Sequence, residues 1–373
     1  MAGIYLHIPY CSKRCVYCDF YFTTSQKNKY ALIEAMNSEL NNRYEYLDNK
    51  PIKTIYFGGG TPSLLNKKEI SILLNSIYKN FNVKKNAEIT LEANPEDLSL
   101  TKIKTLESLG VNRLSIGVQS FLDSDLQFMN RSHNAKQAIK SIKNAQTKIK
   151  NISIDLIFGL PKQNIQAWEK NYKIAFKLGI QHISAYSLTV EPNTQLKKHV
   201  QNGSVVLNEE SSIKQFESLM KNCSKYGFTQ YEISNYAQSG YESKHNMSYW
   251  NQNWYLGIGP SAHSFNGESR QWNISNNRLY IEKIKKNICS FEKEHLSPHQ
   301  IYNEYILTKI RTSEGVNKNY LEKKFNRKTV NYFEKEIKKW IQKRWINHRI
   351  NSYRLSNNGK LFADLISQDL LLT

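Results

Sequence analysis

A chain of 373 residues with 40% hydrophobic side chains is long enough for a (β/α) barrel with one or two smaller modules and supports a true core. Its 5 cysteines are too few for a disulfide scaffold, and it shows neither a secretory leader pattern nor an apolar run of about eighteen residues, so a reducing cytoplasm is the expected setting. The net charge of +20 admits nucleic acid or an anionic membrane as partner, but most lysines interleave with Glu and Asn on helix-period stretches such as KKEISILLNSIYKNF from Lys67, and solvated faces explain most of them.

The first element, IYLHIPYCSKRCVYCDFYF from Ile4 to Phe22, is a strand-like run leading into Cys11, Cys15 and Cys18. Three thiols at this spacing can share one cubane cluster, and they leave one of its four irons open to an outside ligand. The competing reading is zinc, with His7 or Asp19 as a fourth ligand, although structural zinc sites prefer two spaced pairs.

Further strands are expected at Thr54, Glu88, Arg113, Ser153 and His182, each followed by a segment with apolar residues at i, i+3, i+4 spacing. Six βα units predict a parallel sheet curled into a partial (β/α)6 barrel, whose chemistry gathers where strands finish. At those ends lie Gly58-Gly59-Gly60-Thr61-Pro62, then Glu92, Gln119, Arg131 and Asp155. The glycines would let the backbone approach a ligand with free N–H groups. The two carboxylates, amide and guanidinium suit a ligand with a cationic sulfonium, a ribose and a carboxylate. Each carboxylate, taken singly, is more often a satisfied structural partner.

Past Glu191, an amphipathic segment from Glu209 to Tyr226 leads to YEISNYA at Tyr231, a further strand beyond the barrel. The densest aromatic and histidine region follows: His245, Tyr249 and Trp250, then Trp254, Tyr255 and GIGPSAHS with His263. Aromatic faces and an imidazole suit a flat iron porphyrin, though cores also use such residues. Beyond Pro298 come two helical stretches, the hairpin-like WINHRINSYRLS and a last helix, a C-terminal α+β winged-helix-like module. Residues 281–350 hold 17 Lys/Arg against 8 Asp/Glu. The expected divisions are 1–200 for the barrel, 201–297 for its extension and 298–373 for the module.

The Cys11-x3-Cys15-x2-Cys18 loop resembles the signature of the radical S-adenosylmethionine (SAM) superfamily. With YFGGGTPS, LEANPEDL, RLSIGVQSF, DLIFGLPKQ, HNMSYW, GIGPSAHS and the final RLSNNGKLFAD, nearly the whole chain resembles the oxygen-independent coproporphyrinogen III oxidase family. That family's decarboxylating branch carries a fourth cysteine two residues after the third. Phe20 stands there in this chain, so the likeness is to the family's haem-chaperone branch. The resemblance implies a 4Fe-4S cluster on the three cysteines, with Tyr5, Gly59, Gly60, Thr61, Glu92, Gln119, Arg131 and Asp155 around SAM. It implies haem as a further ligand, with His245 first and His263 second as iron ligand and Tyr249 and Trp250 packing on it. Acceptor haemoproteins, some at a membrane, are the implied partners, and no nucleic acid is expected. The enzymatic alternative is oxidative decarboxylation of coproporphyrinogen.

Overall fold

The computed structural model describes residues 1–372. Its main sheet begins with the six expected strands, β1 (Ala2–Ile8), β2 (Ile52–Gly59), β3 (Val83–Ala93), β4 (Arg113–Gln119), β5 (Asn151–Phe158) and β6 (His182–Ser187), paired in that order and parallel. Between them run α1 (Lys29–Asn42), α2 (Lys67–Asn80), α3 (Leu100–Ser108), α4 (Ala135–Gln146) and α5 (Ile165–Lys177). Starts of α2 and α4 follow from capping boxes, Asn66 with Glu69 and Asn134 with Gln137.

Strand alternation sets the two faces of this curled sheet. Ile4, Leu6, Ile8, Ile55, Phe57, Leu91, Leu114, Ile116, Ile152 and Ile154 are buried in one apolar cluster with helix residues such as Leu32, Met36, Ile70, Leu73 and Ile142. The alternate positions carry Tyr5, His7, Thr54, Tyr56, Glu88, Glu92, Arg113, Ser115, Ser153, Asp155 and His182. The interior is therefore polar, and among the described residues no packed apolar layer fills it.

The sheet is open and extended at both edges. After α6 (Glu209–Asn222), β7 (Phe228–Gln230) and β8 (Asn235–Gln238) continue it antiparallel beyond β6. At the opposite edge, sequence reasoning missed four strands. After α7 (Lys244–Trp250), β9 (Trp254–Ile258) lies parallel to β1, and β10 (His263–Phe265), β11 (Ser269–Asn273) and β12 (Phe291–His295) follow antiparallel, giving twelve strands in all. These strands are short and the GIGPSAHS segment is mostly their turn. Gly257 shows why: a Cβ there would stand 2.0 Å from the His263 carbonyl oxygen, so only glycine lets β9 and β10 approach.

After α8 (Asn277–Lys285), the chain forms a second core. Tyr302 and Ile306 on α9 (Pro298–Lys309), Leu321 on α10 (Lys318–Lys324), Phe333 and Ile337 on α11 (Arg327–Gln342), and Ile366 on α12 (Ala363–Asp369) are buried together. A small sheet of β13 (Val316–Asn317), β14 (Ile346–Arg349) and β15 (Ser352–Leu355) completes it. It is joined to the main sheet by Ser313 N donating to the Tyr231 carbonyl at 2.9 Å and by an Arg270–Glu304 ion pair, whose Nη2–Oε2 contact is 2.8 Å.

Candidate cluster and cofactor site at the barrel mouth

The cysteine loop leaves β1 at Ile8 and is tied across the ends of other strands. Cys11 N donates to Thr23 O at 3.0 Å, Asn130 Nδ2 to Arg14 O at 2.7 Å, and Arg14 Nη2 to Asn193 O at 3.0 Å. Cys11, Cys15 and Cys18 are free thiols, each partly exposed. Two already have polar neighbours: Thr61 Oγ1 donates to Cys11 Sγ at 3.5 Å and Arg131 Nη1 to Cys15 Sγ at 3.3 Å. Burial, then the other cysteines and Asp19, push the Cys18 thiol up to about 11, even though the Phe20 backbone favours the thiolate. A bound cation would relieve that, because a metal-ligating thiol is deprotonated. Among the described residues no group of three or more His, Cys, Asp or Glu could hold a single metal ion. A cubane takes each thiolate on a separate iron and does not need the sulfurs to converge on one point.

Beside this loop lie the polar residues singled out in the sequence. Glu92 accepts from Tyr56 OH at 2.8 Å and from Gly59 N at 3.1 Å. Asp155 accepts from Ser115 Oγ at 3.3 Å. Burial raises Glu92 to about 7 and Asp155 to about 6. Arg113 supplies only part of the missing positive charge, and neither carboxylate is in an ion pair among the described residues. Arg131 donates through Nη2 to Asn94 Oδ1 at 2.6 Å and to Gly117 O at 2.8 Å, while its buried Nε has no partner. Gln119 ends β4 with φ of 68°, a left-handed conformation uncommon for a side chain of this kind, and its amide lies next to Arg131 across Gly117. Two carboxylates short of a cation and an unpartnered guanidinium nitrogen fit the ammonium, sulfonium and carboxylate of SAM.

The glycine run works differently from its sequence reading. Gly59 N is spent on Glu92 and Gly60 N on the Ile8 carbonyl at 2.9 Å, so neither amide is free for a ligand. Parallel pairing of β1 with β2 brings these backbones together. A Cβ on Gly60 would lie within 2.9 Å of Ile8 O and of Tyr10 N and O, which makes this glycine a packing requirement of the cysteine loop.

His245, the first iron ligand implied by resemblance, is buried in this structure. It lies in α7, whose first turn plugs the barrel from the side opposite the cysteines. Its backbone N–H and that of Lys244 bind Glu88 at 3.2 Å each. The ring is buried, with Nδ1 2.8 Å from Thr54 Oγ1 and Nε2 2.9 Å from Tyr249 OH. It stacks on Tyr56 at 4.9 Å and meets Tyr249 edge-on at 4.9 Å; Trp250 makes no such contact with it. Burial, then the Arg113 charge, lower its pKa to about 3, so the ring is neutral. Both nitrogens are committed, and opening either leaves a buried partner unmet.

His7 is similarly engaged: Nε2 donates to Tyr21 O at 3.0 Å, which makes Nδ1 the acceptor from Tyr5 OH at 3.1 Å. His263 lies at the mouth, exposed, with its ring 6.4 Å from that of Trp272. Sequence reasoning missed Tyr56, Asn94, Ser115, Glu88 and Arg113. Strand alternation could have found all five, since they share the inward parity of the named residues, Asn94 continuing it one position past the end of β3.

Fold and site define a protein of the radical SAM class. The model of the radical SAM superfamily matches residues 5–175, and that of the HemN C-terminal domain matches residues 296–362. The heme chaperone HemW of Bacillus subtilis is 36% identical over 372 residues, covering 98% of this chain and 97% of that protein. Its namesake in Haemophilus influenzae is 31% identical, covering 97% and 96%. Among solved structures, Escherichia coli coproporphyrinogen III oxidase, a radical SAM enzyme, superposes with a TM-score of 0.85 at 20% identity over 99% of this chain and 89% of that one, a likeness of fold. The chain belongs to the HemW heme-chaperone family.

Proposed function

We propose that this protein is a haem chaperone that carries a 4Fe-4S cluster with SAM and passes haem to acceptor haemoproteins. The observation that carries the proposal is the barrel mouth, where an open three-thiol loop, a polar interior short of positive charge, and an aromatic cavity meet. Full-length likeness to proteins named heme chaperones supports the haem part.

In this reading Cys11, Cys15 and Cys18 hold the cluster, and the amino acid end of SAM takes the open iron. Bound there, cluster and SAM supply one-electron chemistry. Glu92 and Asp155 balance the ligand's positive charge, Arg131 meets negative charge beside Cys15, and Gln119, Tyr5 and Thr61 orient the nucleoside against the loop. Gly59 and Gly60 set the loop's height above β2. Phe20, 69% exposed where the decarboxylating branch has cysteine, presents a phenyl ring to the mouth.

Among the described residues no helix is long and apolar enough to cross a membrane. Delivery at the inner face of a membrane from the cytoplasm is supported by the basic C-terminal module, since Lys and Arg are attracted to anionic lipid.

The test is anaerobic reconstitution followed by haem titration and by incubation with coproporphyrinogen, SAM and reductant. About one haem per chain and no decarboxylated product are expected. Absence of haem binding removes the proposal, and product formation moves the protein to the enzymatic branch.

A further inference from the structure

We infer that haem occupies the aromatic cavity beside the cysteine loop with His263, and not His245, as its axial imidazole. The inference rests on the haem-chaperone reading and adds the place and the ligand.

The cavity has a volume of about 500 Å³, in the range of small-molecule sites. Phe20, Tyr21, Tyr249, Tyr255 and Phe265 give it aromatic walls. These come from separated parts of the chain: the cysteine loop, α7, β9 and β10. An exposed phenyl ring at the rim of an aromatic cavity is the kind of surface a flat hydrophobic ligand covers.

Three histidines come into question, His7 and His263 at this cavity and His245 in α7 on the opposite side of the barrel, and their hydrogen bonds separate them. His245 commits both ring nitrogens to Thr54 and Tyr249, and His7 commits both to Tyr5 and Tyr21. His263 lines the cavity, and neither of its ring nitrogens takes part in a hydrogen bond to another described residue. A ring that must give iron a lone pair needs that freedom. It must also be neutral, and partial enclosure of the ring by the cavity wall, then the nearby Arg270 charge, hold His263 below the ordinary histidine value although one side of it is open to solvent.

The position also follows from the strands. His263 opens β10 at the turn that Gly257 permits, and Phe265 follows two residues on along the same face. Arg270, on the paired strand β11, reaches the cavity with its charge already bridged to Glu304, so it shapes the wall. Tyr5 and Tyr249 line the cavity and also touch the His7 or His245 rings inside the barrel, which places the inferred haem next to the SAM site. His245 then acts as a strut that positions Tyr249.

The experiment is haem titration of the reconstituted full-length protein, read by visible absorption and electron paramagnetic resonance. His263→Ala is expected to lose the histidine-ligated spectrum and to weaken haem about tenfold or more; added imidazole should restore the spectrum by filling the vacated position. His263→Met, which keeps a soft ligand, should exchange one ligand signature for another. An unchanged spectrum and affinity in both variants overturns the assignment to His263 while leaving the chaperone reading in place. Failure of the unsubstituted protein to bind haem overturns both.

Discussion

Glu92 and Asp155 are the residues whose chemistry is most exposed to test, because both sit half-buried in the barrel interior with hydroxyl and amide donors but no ion-pair partner among the described residues. Their folded pKa values, about 7 and about 6, are raised above the ordinary 4.5 and 3.8. A raised carboxylate contributes stability that is fullest below its unfolded pKa and is lost as pH rises through the folded one. The ligand-free protein should therefore lose thermal stability between about pH 4 and about pH 7 on account of this pair, and SAM should stabilise it more at the upper end. Thermal unfolding with and without SAM across that range checks the sign. Glu92→Gln should flatten the dependence, raise the ligand-free midpoint near neutral pH and weaken SAM about tenfold. Undiminished SAM affinity in that variant would remove Glu92 from the site. Substituting serine for all three loop cysteines should abolish the broad iron–sulfur absorption after reconstitution, and retention of that absorption would place the cluster elsewhere.

At the scale of elements, β1, β2 and α7 behave as one device. Gly60 allows the cysteine loop to lie on the end of β2, so Gly60→Ala forces backbone apart at Ile8 and Tyr10. The expected cost is about 3 kcal/mol or more, because backbone cannot yield as a flexible side chain does. Lowered cluster occupancy at unchanged expression would show the loop displaced. The seven-residue α7 is too short to be stable alone and is held by Glu88, Thr54 and packing of its ring side chains. His245→Ala should cost about 2–4 kcal/mol, seen in urea unfolding, since it opens a cavity and strands Thr54 and Tyr249. Any loss of haem in that variant should track the loss of fold, which the His263 variants are expected to avoid.

The molecule joins a large core between sheet and helices, a small cluster around Leu126 and Leu160, and the core of the C-terminal module. The module's hairpin tip presents Ile350 at 91% exposure, next to Arg349 and within a few residues of Arg344. An apolar tip in a basic surround is suited to anionic lipid. Co-sedimentation with vesicles rich in anionic lipid should be strong at low salt, fall steeply as salt rises, and be weakened several-fold by Ile350→Asp. Equal binding to neutral vesicles would count against the electrostatic part.

The three thiols, the strand periodicity and the inward carboxylates were legible in the sequence because they are local: spacing along a loop and alternation along a strand require no partner. Phe20 was equally legible, as a substitution within a known spacing. The free or committed state of an imidazole is not local. His245 and His263 look alike in their motifs, yet one is closed between Tyr249 and Thr54, the latter 191 residues away in sequence, and the other stands open at the start of β10. Likewise the amides of Gly59 and Gly60 read as free until the Glu92 carboxylate took one and the Ile8 carbonyl of β1 the other, and β9 to β12 became visible only as β9 paired with β1 and the rest added onto it in turn. The sequence by itself determined which groups this protein can bring to a cluster and a sulfonium ligand; the tertiary structure decided which remain available, because hydrogen bonds between distant strands use up donors and acceptors that no local pattern can count.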